Sequence, residues 1–455
     1  MRSSRSWVSE RGRRMDSTRI RVMVVDDSAV IRKIVTSTLL REPDIEVVGT
    51  AASGKEAIAR FRELQPDVIT LDIEMPEMNG IEAIGHIRAM DSRVPIIMFS
   101  TLTEAGGKAT LDALSCGATD YVTKPTSSAS IESSKDIIAS ALVGKIRVLG
   151  QKRKKSPPSL PGSSGVNPTH RPGATRGSSS TIETRHSNSR ETRNALPEPI
   201  GRSLSHRDEG SRDSGSRQVP RAAPTRAPSV VLIGISTGGP NALGEVIPAL
   251  PANLSVPIVI VQHMPATFTR LLAERLDTKS KLHVMEAKGG ENPRAGEVYI
   301  APGEHHLVVN TNSRGDLTLA LDDSPPVNSC RPSVDTLFHS AVRLGSRVLA
   351  IVMTGMGQDG YVGARELKGV GAEIATQDEA SSVVWGMPGF VTNAGLSDNV
   401  IALSAMADFI SKRCAPSNGS SRFSGQPKML TSGSLVGTSG SPRGQSRELG
   451  GGKWH

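Results

Sequence analysis

Cysteine is nearly missing from this chain. Cys116, Cys330 and Cys414 lie far apart with no C-x-x-C pair, which argues against a disulfide framework or a structural zinc site and fits a reducing, cytoplasmic setting. Aromatic residues are also scarce, at 3%. The basic stretches contain almost none to interleave with bases, and no helix-turn-helix or zinc-finger pattern accompanies them, so no nucleic-acid partner is expected. No apolar run approaches the roughly 18 residues of a membrane span, and no apolar h-region follows the basic N-terminus. Membrane insertion is therefore not expected either.

Positive charge, by contrast, is in excess and unevenly placed. The formal net charge is +9. Arg and Lys crowd the first fourteen residues and the run Gln151-Lys152-Arg153-Lys154-Lys155, and Arg recurs as far as Arg226. Such stretches read as solvated and disordered. The plainest account of the N-terminal stretch is that translation starts at Met15.

A chain of 455 residues suggests two or three domains. The expected layout is a disordered extension at 1–18, an α/β domain at 19–149, a linker at 150–228, a second α/β domain at 229–414 and a disordered tail at 415–455. In the first domain, strands are predicted at Ile20–Val25, Glu46–Thr50, Val68–Asp72, Ile96–Ser100 and Asp120–Val122. Helical patterns alternate with them, the last over Ile131–Leu149. Five β/α units imply a parallel sheet covered on both faces, with ligands at the carboxyl ends of the strands. The linker is Ser-, Pro-, Arg- and Gly-rich, and at roughly 80 residues it would span about 50 Å as a flexible coil. The second domain repeats the pattern, with strands predicted at Val230–Ile235, Pro257–Val261, Val298–Ile300, His306–Val309, Leu317–Ala320, Val348–Met353 and Ala372–Ala375. Helices are predicted at Gly239–Ala249, Ala266–Leu276, Val334–Leu344 and Gly360–Leu367.

Polar groups gather at strand ends in the first domain. Asp26 and Asp27 end the first strand and Asp72 the third, which are neighbours in a doubly wound sheet. Three converging carboxylates need a counter-ion, and hard oxygen donors suit Mg²⁺. Ser100 and Lys124 complete the rim, placed to contact a phosphoryl group on Asp72. Singly, Asp27 and Asp72 read better as caps or turn formers; five such groups on four strands of one sheet do not. The segments VVDDSA, VITLDIEMPEMNG, PIIMFS and DYVTKP resemble the receiver domain of two-component response regulators from about Ile20 to Val143. The resemblance implies that Asp72 is the phosphoacceptor and that Asp26 and Asp27 bind Mg²⁺, with Glu74 contributing its backbone carbonyl. It also implies Ser100 and Tyr121 as a switch pair, Lys124 as the phosphoryl contact, a cis Lys124–Pro125 bond and a cognate histidine kinase as phosphodonor.

In the second domain, Val230–Ile235 runs into Ser236-Thr237-Gly238-Gly239, and Gly234 to Gly238 matches G-x-S-x-G. On that segment alone a phosphate loop or helix cap ranks above a nucleophile. Two further strand ends change the ranking, His263 after Pro257–Val261 and Asp359 after Val348–Met353. A Ser needs a base, and the base needs a carboxylate to fix its tautomer. The chain order Ser, His, Asp departs from α/β-hydrolases, where the acid precedes the His. His283, His305, His306 and His339 show no metal-ligand spacing.

These segments, with IAPGEHHLVV, CRPSVDTLFHSAV and QDEASSVVWGMPGFV, resemble the catalytic domain of the chemotaxis protein-glutamate methylesterase (CheB) family from about Val230 to Leu403. Thr267 stands where that family usually has Gly, and Gly389-Phe390 replaces a more common basic-and-small pair. The resemblance implies Ser236 as nucleophile, His263 as general base and acid, Asp359 as the orienting acid, and backbone N–H groups near Thr237 and Met356 as oxyanion donors. Hydrolysis would need no cofactor. The implied substrates are glutamate methyl esters and specific glutamines of chemoreceptors, with phosphorylation of the receiver relieving its shielding of the catalytic face.

Overall fold

The computed structural model describes residues 18–125, 131–155 and 227–415. The first sheet has five strands: β1 (Ile20–Val25), β2 (Ile45–Ala51), β3 (Val68–Asp72), β4 (Ile96–Ser100) and β5 (Asp120–Thr123), in the order β2-β1-β3-β4-β5 and all parallel. Central strands buried on both faces need continuous apolar runs, and β3 and β4 are buried at every position. Helices α1 (Ala29–Leu39), α2 (Gly54–Leu64), α3 (Gly80–Met90) and α4 (Glu104–Ser115) follow the first four strands. Each starts at a polar N-cap (Ser28, Ser53, Asn79 and Thr103) whose side chain accepts a first-turn amide.

The last helix of this sheet runs longer than predicted. α5 (Ile131–Ile138) passes through one π-helical stretch, Ala139–Val143, into α6 (Gly144–Lys155). Ile138, Leu142, Ile146 and Leu149 form the buried face. The basic run beyond it, expected to be solvated and disordered, is helical and partnered. Arg153 pairs with Asp91 and Lys154 with Asp67, and Lys152 Nζ donates to the Ser382 carbonyl. Carboxylates and a carbonyl supplied by distant segments are what composition alone did not reveal.

The second sheet has seven parallel strands. They are β6 (Val230–Ile235), β7 (Ile258–Gln262), β8 (His283–Glu286), β9 (Glu297–Ile300), β12 (Val348–Val352), β13 (Glu373–Gln377) and β14 (Asn399–Ile401), in the order β14-β13-β12-β6-β7-β9-β8. β10 (His306–Thr311) and β11 (Leu317–Asp322) form a separate antiparallel hairpin. β6 is flanked by β12 and β7, so the three strands that end near Ser236, Asp359 and His263 are adjacent. α7 (Gly239–Ala249), α8 (Ala266–Lys279), α9 (Val334–Ser340), α10 (Tyr361–Gly369), α11 (Met387–Asn393) and α12 (Leu403–Arg413) complete the layers. The predicted helix over Val334–Leu344 divides, α9 giving way to a 3₁₀ segment at Val342–Arg347. Gly345, at φ 58° and ψ −133°, breaks the regular turn there.

Both sheets belong to one compact unit. The ring of Tyr121 on β5 stacks on Phe268 of α8, with centroids 5.0 Å apart and planes 8° from parallel. Leu271 lies against Gly107 of α4, where an added Cβ would come within 2.7 Å of it. Around this apolar contact Asn241 Nδ2 donates to the Ala118 carbonyl at 3.0 Å, and Arg275 reaches Asp112 at 2.5 Å and Ser115 at 2.7 Å.

Phe338 on α9 is fully buried and packs tightly against α10, where a Cβ on Gly363 would meet it at 2.5 Å. Phe338→Ala is expected to cost about 3–5 kcal/mol through lost burial and an unfilled cavity. The check is a urea unfolding curve whose midpoint falls with no change of slope.

Candidate active site

The sharp turn after β6 places Ser236. Its N–H donates to the Thr354 carbonyl at 3.0 Å, and Gly238 then takes φ 78° to start α7, with Val383 so close that a Cβ would sit 2.6 Å from it. Gly355 is equally constrained, because a Cβ there would lie 2.9 Å from Ser236 Cβ. Gln262 ties the neighbouring strand end to this turn, its Nε2 donating to the Ser236 carbonyl at 3.1 Å. Ser236 is half-buried and Thr237 buried. Among the described residues no protein acceptor takes the backbone N–H of Thr237 or of Met356.

His263 and Asp359 meet directly, with Nε2 and Oδ2 2.8 Å apart. Asp359 is buried and accepts five further hydrogen bonds, from Asn328 Nδ2 (2.9 Å), Ser333 Oγ (2.8 Å) and the backbone N–H groups of Val334 (2.7 Å), Asp335 (3.0 Å) and Gly360 (3.1 Å). Burial alone would raise its pKa; the bond to His263 and the amide donors overcome this and hold the carboxyl well below the usual range. Burial would likewise lower His263, but the bonds to Asp359 and to Cys330 raise it to about 9. Its second nitrogen, Nδ1, faces Cys330 Sγ at 3.6 Å. No hydrogen bond joins Ser236 to His263 among the described residues.

The residues that orient Asp359 were not singled out in the sequence. Asn328, Ser333 and Val334 lie in a loop and a first helical turn, between the hairpin and α9. Ser333 is itself fixed, its N–H donating to buried His306 Nδ1 at 3.1 Å. The only signal for Ser333 was its place at the N-terminus of a helix.

In the first sheet the predicted groups assemble as expected from strand order. Oxygens of Asp26, Asp27 and Asp72 lie within 4.8 Å of one another. Lys124 Nζ stands 2.7 Å from Asp72 Oδ2 and 3.1 Å from Asp26 Oδ2. One ammonium thus faces both buried oxygens. Burial first, and then the neighbouring Asp26, push Asp72 up to about 6; burial also raises Asp26. Three carboxylates against one ammonium leave a net negative charge, and their oxygens fit a hard divalent cation. Glu74 is exposed and shares an open cleft with Asp27, and its N–H points to Asp72 Oδ1 at 3.4 Å. Ser100 Oγ accepts from Thr110 at 2.6 Å and donates to the Gly106 carbonyl at 3.1 Å, while Tyr121 turns onto Phe268. The expected cis Lys124–Pro125 bond is not found; among the described residues only Arg331–Pro332 is cis. The trans bond, the lower-energy isomer, already brings Lys124 to both carboxylates.

Fold and site together define the class: a receiver-type sheet packed on a parallel α/β domain whose strand ends carry hydrolase chemistry. The family model for CheB methylesterase matches residues 231–410, and that for the response regulator receiver domain matches residues 22–134. A protein-glutamate methylesterase/protein-glutamine glutaminase from Nocardioides sp. is 44% identical over 397 residues, covering 87% of this chain and 96% of that protein. Another of the same name, from Trichodesmium erythraeum, is 38% identical over 396 residues, covering 87% and 99%. The crystal structure of the Thermotoga maritima CheB methylesterase catalytic domain is 41% identical, covers 41% of this chain and 99% of that one, and superposes with a TM-score of 0.40. The chain belongs to the CheB family of protein-glutamate methylesterases/protein-glutamine glutaminases.

The perturbed pair makes a prediction with a defined sign. A raised His263 stabilises the fold fully below its ordinary value of about 6.5 and loses that contribution as pH rises through about 9. The lowered Asp359 contributes above the ordinary carboxylate range and is lost only as pH falls below it. A proton NMR titration is expected to place the His263 ring near pH 9. In Asp359→Asn its midpoint should drop, because burial remains while the charged partner is gone.

Proposed function

We propose that Ser236 is the nucleophile of a phosphorylation-activated methylesterase acting on glutamate methyl esters, and on specific glutamine amides, of chemoreceptors. The carrying observation is the Asp359–His263 bond. It presents an oriented imidazole on the strand end next to Ser236, with the carboxylate that stabilises the imidazolium already ionised. Ser236 Oγ attacks the ester carbonyl while His263, in its neutral fraction, which is the minority form below about pH 9, takes its proton. The oxyanion is met by N–H groups of Thr237 and Met356, which have no protein acceptor among the described residues. Collapse returns the proton to the leaving methoxide, releasing methanol and a glutamyl ester of Ser236. Water, deprotonated by His263, attacks that ester, and Ser236 leaves with the proton, giving free glutamate. A glutamine amide follows the same course with ammonia as leaving group.

Asp72 accepts the phosphoryl group from a histidine kinase. Asp26, Asp27 and Asp72 would hold Mg²⁺, with the Glu74 carbonyl, and the ion would offset the charge of the incoming phosphate. Lys124 would contact that phosphate, and Ser100 and Tyr121 would respond to it. The stack of Tyr121 on Phe268 connects this event to the second domain. The receiver's last helix also reaches the active-site rim, with Gly144 against Met356 and Lys152 on the Ser382 carbonyl. Release of these contacts is a shift between closed and open populations.

Ser236→Ala is expected to lower ester hydrolysis by about 10⁴ or more, measured as methanol release from methylated receptor. Asp72→Asn should keep basal hydrolysis and lose all stimulation by a small phosphodonor with Mg²⁺. Arg275→Glu, which faces Asp112 with like charge, should raise basal turnover several-fold and leave the phosphorylated rate unchanged. An unaltered basal rate in Arg275→Glu would count against the packed receiver as the restraint.

A further inference from the structure

Cys330 has no part in the chemistry above, yet it sits against the ring that performs it. The thiol is held there by a tight turn. Val327 and Cys330 exchange backbone hydrogen bonds at 3.1 and 2.9 Å, and Asn328 and Ser329 between them take φ of 53° and 61°, as a type I′ turn requires. Asn328 anchors the turn to Asp335 at 2.8 Å and to Asp359 at 2.9 Å. The carboxylate that orients His263 therefore also positions Cys330.

We propose that Cys330 Sγ and His263 Nδ1 form a binding site for a thiophilic divalent cation, zinc foremost, which occupies the imidazole nitrogen and silences the hydrolase. A tetrahedral zinc with bonds of about 2.3 Å to sulfur and about 2.0–2.1 Å to nitrogen sets those two ligand atoms about 3.5–3.6 Å apart. The observed separation is 3.6 Å. A metal-bound imidazole is strengthened when its other nitrogen donates to a carboxylate, and Nε2 already lies 2.8 Å from Asp359 Oδ2. The three groups cluster within 4.8 Å. The oxygens of Asp359, however, are committed to six donors, so Asp359 acts through the ring and water completes the coordination. Cys330 is half-buried rather than sealed, which leaves a path for the ion.

The donor chemistry separates this site from the one in the receiver. Sulfur and imidazole select zinc over magnesium, whereas Asp26, Asp27 and Asp72 offer only hard oxygens. The chain thus carries two cation sites of opposite preference, one supporting phosphorylation and one opposing hydrolysis. The silencing rests on His263 being the general base; the metal site does not.

The test uses the whole chain in magnesium-containing buffer. Zinc affinity is measured by competition with a chromophoric chelator, and hydrolysis of methylated receptor is followed as zinc is added and then removed with EDTA. Wild type and Cys116→Ser should bind one zinc at least tenfold more tightly than Cys330→Ser, and cobalt should give a thiolate charge-transfer band in the first two only. Half-inhibition of Cys330→Ser should need at least tenfold more zinc, and EDTA should restore wild-type activity. Circular dichroism confirms that the variant is folded, and Cys330→Ala replaces it if it is not. Equal zinc affinity with and without the Cys330 thiol overturns the site. Cys330-dependent binding that leaves hydrolysis untouched overturns the silencing and, with it, the role of His263 as base.

Discussion

The arrangement at the esterase site depends on Asp359, a carboxylate with almost no exposure to water. An ionised carboxylate in such a place is costly unless its oxygens are fully occupied. Here six donors occupy them, from His263, Asn328, Ser333, Val334, Asp335 and Gly360. They come from a strand-end loop, a turn and the first residues of a helix, so the charge draws three separate stretches of chain together. The imidazole is fixed as one member of that set. Removing the carboxylate would leave the donors unpaired as well as freeing the ring.

The receiver site handles the same problem in the opposite way. Its buried carboxylates have one lysine between them and few hydrogen bonds, so burial, and then the neighbouring Asp26, push the pKa of Asp72 upward. Strand-end carboxylates occur in both sheets because parallel strands send all their carboxyl ends to one edge. The two differ in the donors supplied around them. Preorganised amides make Asp359 a fixed charge, and their scarcity leaves Asp72 with a raised pKa.

Much of this was legible in the sequence. The β-branched runs marked the strands that carry Asp72, Ser236, His263 and Asp359, and parallel topology brings their ends together without further information. The strands His283–Glu286 and Asn399–Ile401 are short and partly exposed and carry little apolar signal. Helix α11 begins Met387-Pro388-Gly389, a sequence that reads as a turn. α12 does carry a helical stripe, Met406, Ala407 and Ile410, but it abuts the Ser- and Gly-rich tail, whose composition masks it. Asn328, Cys330 and Ser333 were hidden for a different reason: their importance comes from a turn folding back onto Asp359. The partners of Tyr121 and of the basic residues of α6 are tertiary contacts, which local periodicity does not encode.

The stack of Tyr121 on Phe268 has a consequence that runs from the hydrolase back to the receiver. Coupling between two binding events is reciprocal. If phosphate on Asp72 weakens the packing that covers the esterase face, then a receptor occupying that face must favour the phosphorylated receiver by the same factor. A substrate-engaged enzyme would thus hold its phosphoryl group more favourably than a free one. The reach of the kinase signal would then depend on how much methylated receptor remains to be processed.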